Sequence, residues 1–85
     1  MKSFPKLETA QVVVMIADGA TGHILNTDGS INIDGSDDEI YFIFDNVDSA
    51  KKFIKSHSFN NDKVEYVIYD RYETVLEFVE AKHWK

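Results

Sequence analysis

The feature that most constrains this chain is an apolar segment near its start, residues 10–17, with the sequence AQVVVMIA. The segment is too short for a membrane span, which needs roughly 20 residues, and its Val and Ile content is typical of a strand. Because successive side chains of a strand point to opposite faces, a strand with apolar residues on both faces must be covered on both sides. We therefore predict that residues 10–17 form a central strand of a sheet.

Two later segments, residues 39–45 and 63–70, are rich in β-branched and aromatic residues and are also predicted to be strands. The side chains expected on one face of these strands are Ile40, Phe42, Phe44, Val64, Tyr66 and Ile68. The side chains expected on the opposite face are Tyr41, Ile43, Val67 and Tyr69. Turns at 18–22 and 27–30 contain Gly and precede two shorter candidate strands, residues 23–26 and a half-buried strand at residues 31–34.

Residues 47–57 carry the pattern of an amphipathic helix. Asn46 precedes them, and its side-chain oxygen can accept a hydrogen bond from a free amide of the first turn. The apolar stripe at helical spacing consists of Val47, Ala50, Phe53, Ile54 and His57. Because Lys51, Lys52 and Lys55 point away from this stripe, the helix is predicted to pack on one face of the sheet.

The C-terminal segment, residues 72–83, fits two structures. As a strand, its Val-rich and Phe-rich part pairs with residues 63–70 in a hairpin. As a second helix, Asp70 and Glu73 form a capping box, and the lack of Gly or Asn between the two segments favours this alternative. We favour the strand and keep the helix as the alternative.

Together these segments predict an α+β fold in a single small acidic domain that spans residues 1–85. A chain of this length holds one hydrophobic core. We expect a small antiparallel sheet of about 4–6 short strands, with the helix at about residues 47–57 packed on one face. Such a fold does not identify a function, because unrelated functions share the same small folds.

Charge is distributed unevenly along the chain. Nine Lys and Arg against fifteen Asp and Glu give a formal net charge of −6, and residues 7–50 contain neither Lys nor Arg. Affinity for nucleic acid depends on Lys and Arg that neutralise phosphates, so no nucleic-acid partner is expected. The one basic cluster, Lys51, Lys52 and Lys55, is interpreted as the solvated face of the helix.

Several classes of chemistry lack the residues that they need. The absence of Cys excludes disulfides, thiolate zinc sites and cysteine nucleophiles. The first eight residues lack the apolar core of a signal peptide, so we expect a cytoplasmic protein with no membrane partner. No nucleotide-binding or hydrolase motif is present, and His23, His57 and His83 lack the spacing of metal ligands. We therefore predict no cofactor and no enzymatic activity. An enzyme with a site formed between subunits is the third hypothesis, after the interaction module and the calcium-binding domain described below.

An acidic loop, residues 28–39, provides the alternative function of calcium binding. Its oxygen-bearing side chains fall at positions 1, 3, 5, 7, 9 and 12 of a twelve-residue loop, namely Asp28, Ser30, Asn32, Asp34, Ser36 and Glu39. Ca²⁺ is held by six to eight oxygens at such positions. Ile33, however, stands at the sixth position, where the sharp turn of an EF-hand requires Gly. We therefore expect no metal here and keep calcium binding as the alternative.

The leading hypothesis is a non-enzymatic binding or interaction module that acts through a sheet face or an edge strand. One helix covers one face of a sheet, which leaves Tyr41, Ile43, Val67 and Tyr69 on a face that is unusually apolar for contact with water. If the C-terminal segment is a strand, a homodimer or another protein partner covers this face. If it is a helix, the helix itself covers the face and a monomer is sufficient.

Overall fold

The computed structural model describes residues 3–33 and 39–82. The elements follow the order β1 (Val12–Asp18), β2 (Tyr41–Phe44), α1 (Val47–Phe59), β3 (Val64–Tyr69) and β4 (Val75–Val79). The four strands form one antiparallel sheet, and α1 packs against it. The predicted α+β fold is therefore confirmed.

The apolar segment at the start of the chain forms the second strand of the sheet, whose order is β2-β1-β3-β4. Val14 of β1 lies opposite Phe42 of β2 and Ile68 of β3. Val13 and Val14 point to opposite faces, yet both are fully buried. The prediction of a central strand covered on both sides is confirmed, and the strand itself begins and ends slightly later than residues 10–17.

Helix α1 begins as predicted and continues two residues beyond position 57, to Phe59. The Ser49 amide donates to Asn46 Oδ1 at 2.8 Å, so Asn46 is the N-cap. At the other end, Asn61 Nδ2 donates to the His57 carbonyl oxygen at 2.8 Å. This bond satisfies one of the carbonyls that a helix leaves free at its end. It is present in a helix that ends two residues later than predicted.

The hydrophobic core lies between α1 and the sheet. Its buried members are Val12, Val14, Ile16, Leu25, Ala50, Ile54, Tyr66 and Ile68. The Phe53 ring of α1 lies 4.6 Å from the Phe42 ring and 5.1 Å from the Phe44 ring, measured between centroids. These contacts confirm that Phe42 and Phe44 share the face of β2 that meets the helix.

The two short strands expected after β1 are wrong. Residues 23–26 and 31–33 form only isolated bridges, Ala17 with Ile24 and Leu25 with Ile31. The reason is competition for one edge of β1, since β2 pairs with Val12–Met15 and leaves only the end of β1 for the returning chain. Ile33 is 74% exposed, so the expected half-buried strand does not form.

The C-terminal segment is strand β4, and the alternative of a second helix is wrong. Asp70 and Glu73, interpreted above as a helix cap, build the hairpin turn between β3 and β4 instead. Asp70 Oδ1 accepts hydrogen bonds from the Tyr72 amide at 2.8 Å and the Thr74 amide at 2.9 Å. Glu73 adopts a φ of 62°, in the left-handed region that Gly normally supplies in such turns. The residues after this turn pair with the free edge of β3, so the positive φ of Glu73 occurs together with the formation of the β3–β4 ladder.

Candidate functional site

The sheet face opposite α1, here called the outer face, carries the four residues predicted to form an interaction surface. Met15 of β1 lies opposite Tyr41 on one side and Val67 on the other. Val13 lies in the same way between Ile43 and Tyr69. The register therefore brings Tyr41, Ile43, Val67 and Tyr69 to one face in two adjacent rows.

The N-terminal segment covers the centre of the outer face, which the sequence analysis did not anticipate. The Phe4 ring meets the Tyr41 ring edge-on at 5.4 Å and the Tyr69 ring at 6.0 Å. Both tyrosines are half-buried, and burial together with the negative charge of Glu73 raises the pKa of Tyr41. Ile43, on the edge strand β2, is 51% exposed. An apolar residue in the N-terminal segment, Phe4, was the sequence signal for this cover.

Strand β4 is much less covered than the rest of the sheet. It is an edge strand, and no segment of residues 3–33 or 39–82 pairs with its outer edge. Helix α1 lies over β1, β2 and β3 and does not extend over β4. As a result Val75, Leu76 and Phe78 are 54%, 46% and 49% exposed. We call this surface, with its free backbone edge, the β4 edge.

The side chains of the β4 edge are divided between the two faces of the sheet. Phe78 lies opposite Val67 and therefore on the outer face. The register shifts by one residue between Ile68 and Tyr69, so Leu76 is the extra residue of a β-bulge. Leu76 lines a groove together with Val12 and Val47 on the α1 side of the sheet. The bulge thus places apolar surface on both sides of β4.

A groove runs between α1 and β4 on the helix side of the sheet. Its lining residues are Lys51, Ile54, Lys55, Ser58, Glu77, Val79 and Lys82, and its volume is about 310 Å³. The buried Ile54 and the half-buried Val79 provide apolar surface within it. Glu77 Oε1 lies 3.6 Å from Lys51 Nζ. We call this feature the α1–β4 groove; two members of the lysine cluster predicted from sequence border it.

The described residues of the acidic loop make local hydrogen bonds. Asp28 Oδ1 accepts from the Ser30 amide at 2.9 Å and from the Ser30 hydroxyl at 2.6 Å, and these bonds lower the pKa of Asp28. Asn32 Nδ2 donates to Asn26 Oδ1 at 2.8 Å. Glu39 Oε1 accepts from the Tyr41 amide at 3.1 Å. Among residues 3–33 and 39–82, no group of three potential metal ligands forms.

Two of the predicted calcium ligands, Asp34 and Ser36, lie outside the described residues. The same is true of His83, one of the three histidines considered above. Their predicted roles are therefore not tested by this structure.

The described histidines are engaged in local structure. His57 Nδ1 lies 2.6 Å from the Tyr66 hydroxyl, and this hydrogen bond joins α1 to β3. Burial lowers the pKa of His57 and raises the pKa of Tyr66 to about 12, so both groups are neutral at pH 7. His23 Nδ1 lies 2.8 Å from the Thr21 hydroxyl in an exposed turn. His57 thus links α1 to the sheet. This role could not be predicted without the position of Tyr66 in β3.

Comparison with protein-family models, curated proteins and solved structures finds no match to this chain.

In the described part of the chain, α1 spans 13 residues and carries three lysines, and no helix has the length and apolar character needed to cross a bilayer.

Proposed function

We propose that this protein is a non-enzymatic interaction module that binds an extended polypeptide segment along the β4 edge. The observation that carries this proposal is the exposure of Val75, Leu76 and Phe78 on a strand whose outer edge is unpaired within the described residues. An added strand gains main-chain hydrogen bonds, and alternate side chains contact the two faces of the sheet.

The composition of β4 supports binding at this edge. Soluble proteins protect edge strands with Lys, Pro or bulges, because an unpaired edge accepts strands from other chains. The sequence of β4, VLEFV, contains neither Lys nor Pro, and Glu77 is its one charged residue. The bulge at Leu76 distorts the start of the strand, whereas the pairing from Glu77 to Val79 is regular.

A homodimer is the second candidate, in the form of two β4 strands paired antiparallel about a twofold axis. Two copies of the same strand can form such an isologous contact. The outer face offers less support for a dimer, because Phe4 separates the exposed Ile43 from the exposed Phe78. The net charge of −6 opposes self-association through mutual repulsion. We therefore favour a segment of another protein.

Selection of peptides from a random display library on the immobilised protein tests the proposal. Selected peptides should perturb the amide chemical shifts of β4 and should bind Phe78→Ser at least about tenfold more weakly, since a central apolar contact is lost. Phe59→Ser is the matched control, because Phe59 is 81% exposed at the end of α1 and does not line the α1–β4 groove.

Circular dichroism and thermal melting verify that both variants remain folded. The proposal is refuted if selection yields no binders, or if the selected peptides bind Phe78→Ser as tightly as the unmodified protein. Sedimentation at a series of concentrations without peptide measures the competing β4–β4 dimer.

A further inference from the structure

We infer that the segment bound at the β4 edge alternates acidic and apolar residues, with the acidic side chains directed toward α1 and the apolar side chains toward the outer face. This inference rests on the proposed function, since it describes the partner of that same site. It follows from the different chemistry of the two surfaces that lie on either side of β4.

The two-residue period of a strand sets the alternation. Successive side chains of a strand added to β4 point alternately to the helix side and to the outer face. On the outer face they continue the row formed by Val67 and Phe78. On the helix side they face the α1–β4 groove. Each side chain of the partner therefore contacts one of two chemically distinct surfaces.

The groove on the helix side is basic, in a chain that is acidic as a whole. Lys51, Lys55 and Lys82 border it, against one carboxylate, that of Glu77. Glu77 lies within ion-pair distance of Lys51. Within the described residues no ion pair forms to Lys55 or Lys82, so two ammonium groups are free to meet carboxylates of a partner.

The outer side of the β4 edge favours apolar partners. Val75 and Phe78 are each about half exposed there, next to the half-buried Val67. An apolar side chain on the added strand would cover this surface in a cross-strand pair, the unit of stabilisation between neighbouring strands. An acidic side chain on this side would lose hydration and would meet Glu65 and Glu80, which line a cavity together with Phe78.

The expected preference for an acidic peptide is the opposite of what the net negative charge of the protein would produce. Such a preference would therefore indicate binding at the local lysines. A net charge of −6 attracts basic peptides without specificity. At physiological salt, charges farther away than about 8 Å are largely screened, whereas contacts within the groove are not. Tighter binding of an acidic peptide therefore reports the local lysines and not the net charge.

Two synthetic nine-residue peptides test the inference, one alternating valine and glutamate and the other alternating valine and lysine. Fluorescence anisotropy at physiological salt should show that the glutamate peptide binds about five- to tenfold more tightly, the effect expected of two or three exposed ion pairs. The double variant Lys55→Glu/Lys82→Glu should abolish or reverse this preference. The matched control is Lys52→Glu/Lys63→Glu, which makes the same charge change outside the groove and should keep the preference.

The outcomes separate this inference from the proposed function. If both peptides bind equally and both lose affinity for Phe78→Ser, the β4 edge is a binding site and the charge preference is wrong. The inference is also overturned if the lysine peptide binds more tightly, or if the control double variant loses the preference as fully as the groove variant. If binding of both peptides is insensitive to Phe78→Ser, the proposed function fails as well.

Discussion

Replacing Phe53 with Ala should remove the main contact between α1 and strand β2. The Phe53 ring packs against the rings of Phe42, Phe44 and His57, at centroid distances of 4.6, 5.1 and 5.2 Å. Ala at this position would remove the ring that packs against all three and open a void beneath the helix. The neighbouring Lys52 is exposed and lies on the opposite side of α1 from the core.

The expected cost follows from the burial of the ring. Truncation of a fully buried Phe to Ala typically costs about 3–5 kcal/mol. Phe53 remains partly exposed, so we expect a loss of about 3 kcal/mol in the free energy of unfolding. This is a large part of the stability of a domain of this size, for which about 5 kcal/mol is an ordinary value.

Urea unfolding monitored by circular dichroism measures this loss. With a slope of about 1.5 kcal/mol per molar urea, the midpoint of Phe53→Ala should fall by about 2 M. Phe53→Leu should lose about half as much, and it provides a measurement if the Ala variant does not fold. Lys52→Ala should remain within about 0.5 kcal/mol of the unmodified protein. Equal midpoints for Phe53→Ala and Lys52→Ala would refute this assignment of the buried helix face.

Three further predictions concern local features. Glu73→Gly should stabilise the protein by about 0.5 kcal/mol, because it relieves the positive φ of the β3–β4 turn, whereas Glu80→Gly should not; equal thermal shifts would contradict this. Because the pKa of His57 is lower in the folded protein, the unfolding free energy should decrease as pH falls below about 6.5, the pKa of the unfolded state, and His57→Gln should show a shallower decrease in melts at pH 5–8. Millimolar Ca²⁺ should not raise the melting temperature more than Mg²⁺ does; a rise of several degrees that Asp28→Ala abolishes would establish the calcium alternative.

The strands and the helix that the sequence predicts correctly are those with strong local signals. β1, β2 and β3 are dense in β-branched and aromatic residues, and α1 has an Asn46 cap and an apolar stripe. The faces of β2 and β3 were also predicted correctly, because the two-residue period assigns each side chain without knowledge of its neighbours.

The errors arose where the outcome depended on which backbone edge was available. Ile31 and Ile33 alternate with polar residues like a strand, but β2 occupies most of one edge of β1, and Ile31 forms only an isolated bridge with Leu25. For the C-terminal segment the favoured strand was correct and only the helix alternative was wrong: Asp70 and Glu73 match a helix cap in spacing, but the free edge of β3 pairs with the residues that follow. Local patterns describe what a segment can form, and competition for pairing partners decides what it does form.

In the candidate site, too, some features follow from local sequence patterns and others depend on the tertiary structure. The sequence by itself determined that Tyr41 shares a side of its strand with Ile43 and that Val67 shares one with Tyr69, since the period of the strands follows directly from the order of residues. The tertiary structure alone decided that strand register joins these two pairs into one face, that Phe4 covers the centre of that face, that α1 does not extend over β4, and that Lys82 lines the same groove as Lys55. These juxtapositions join residues far apart in the chain through strand register and helix position, quantities that depend on the packing of the whole core and that no local pattern encodes.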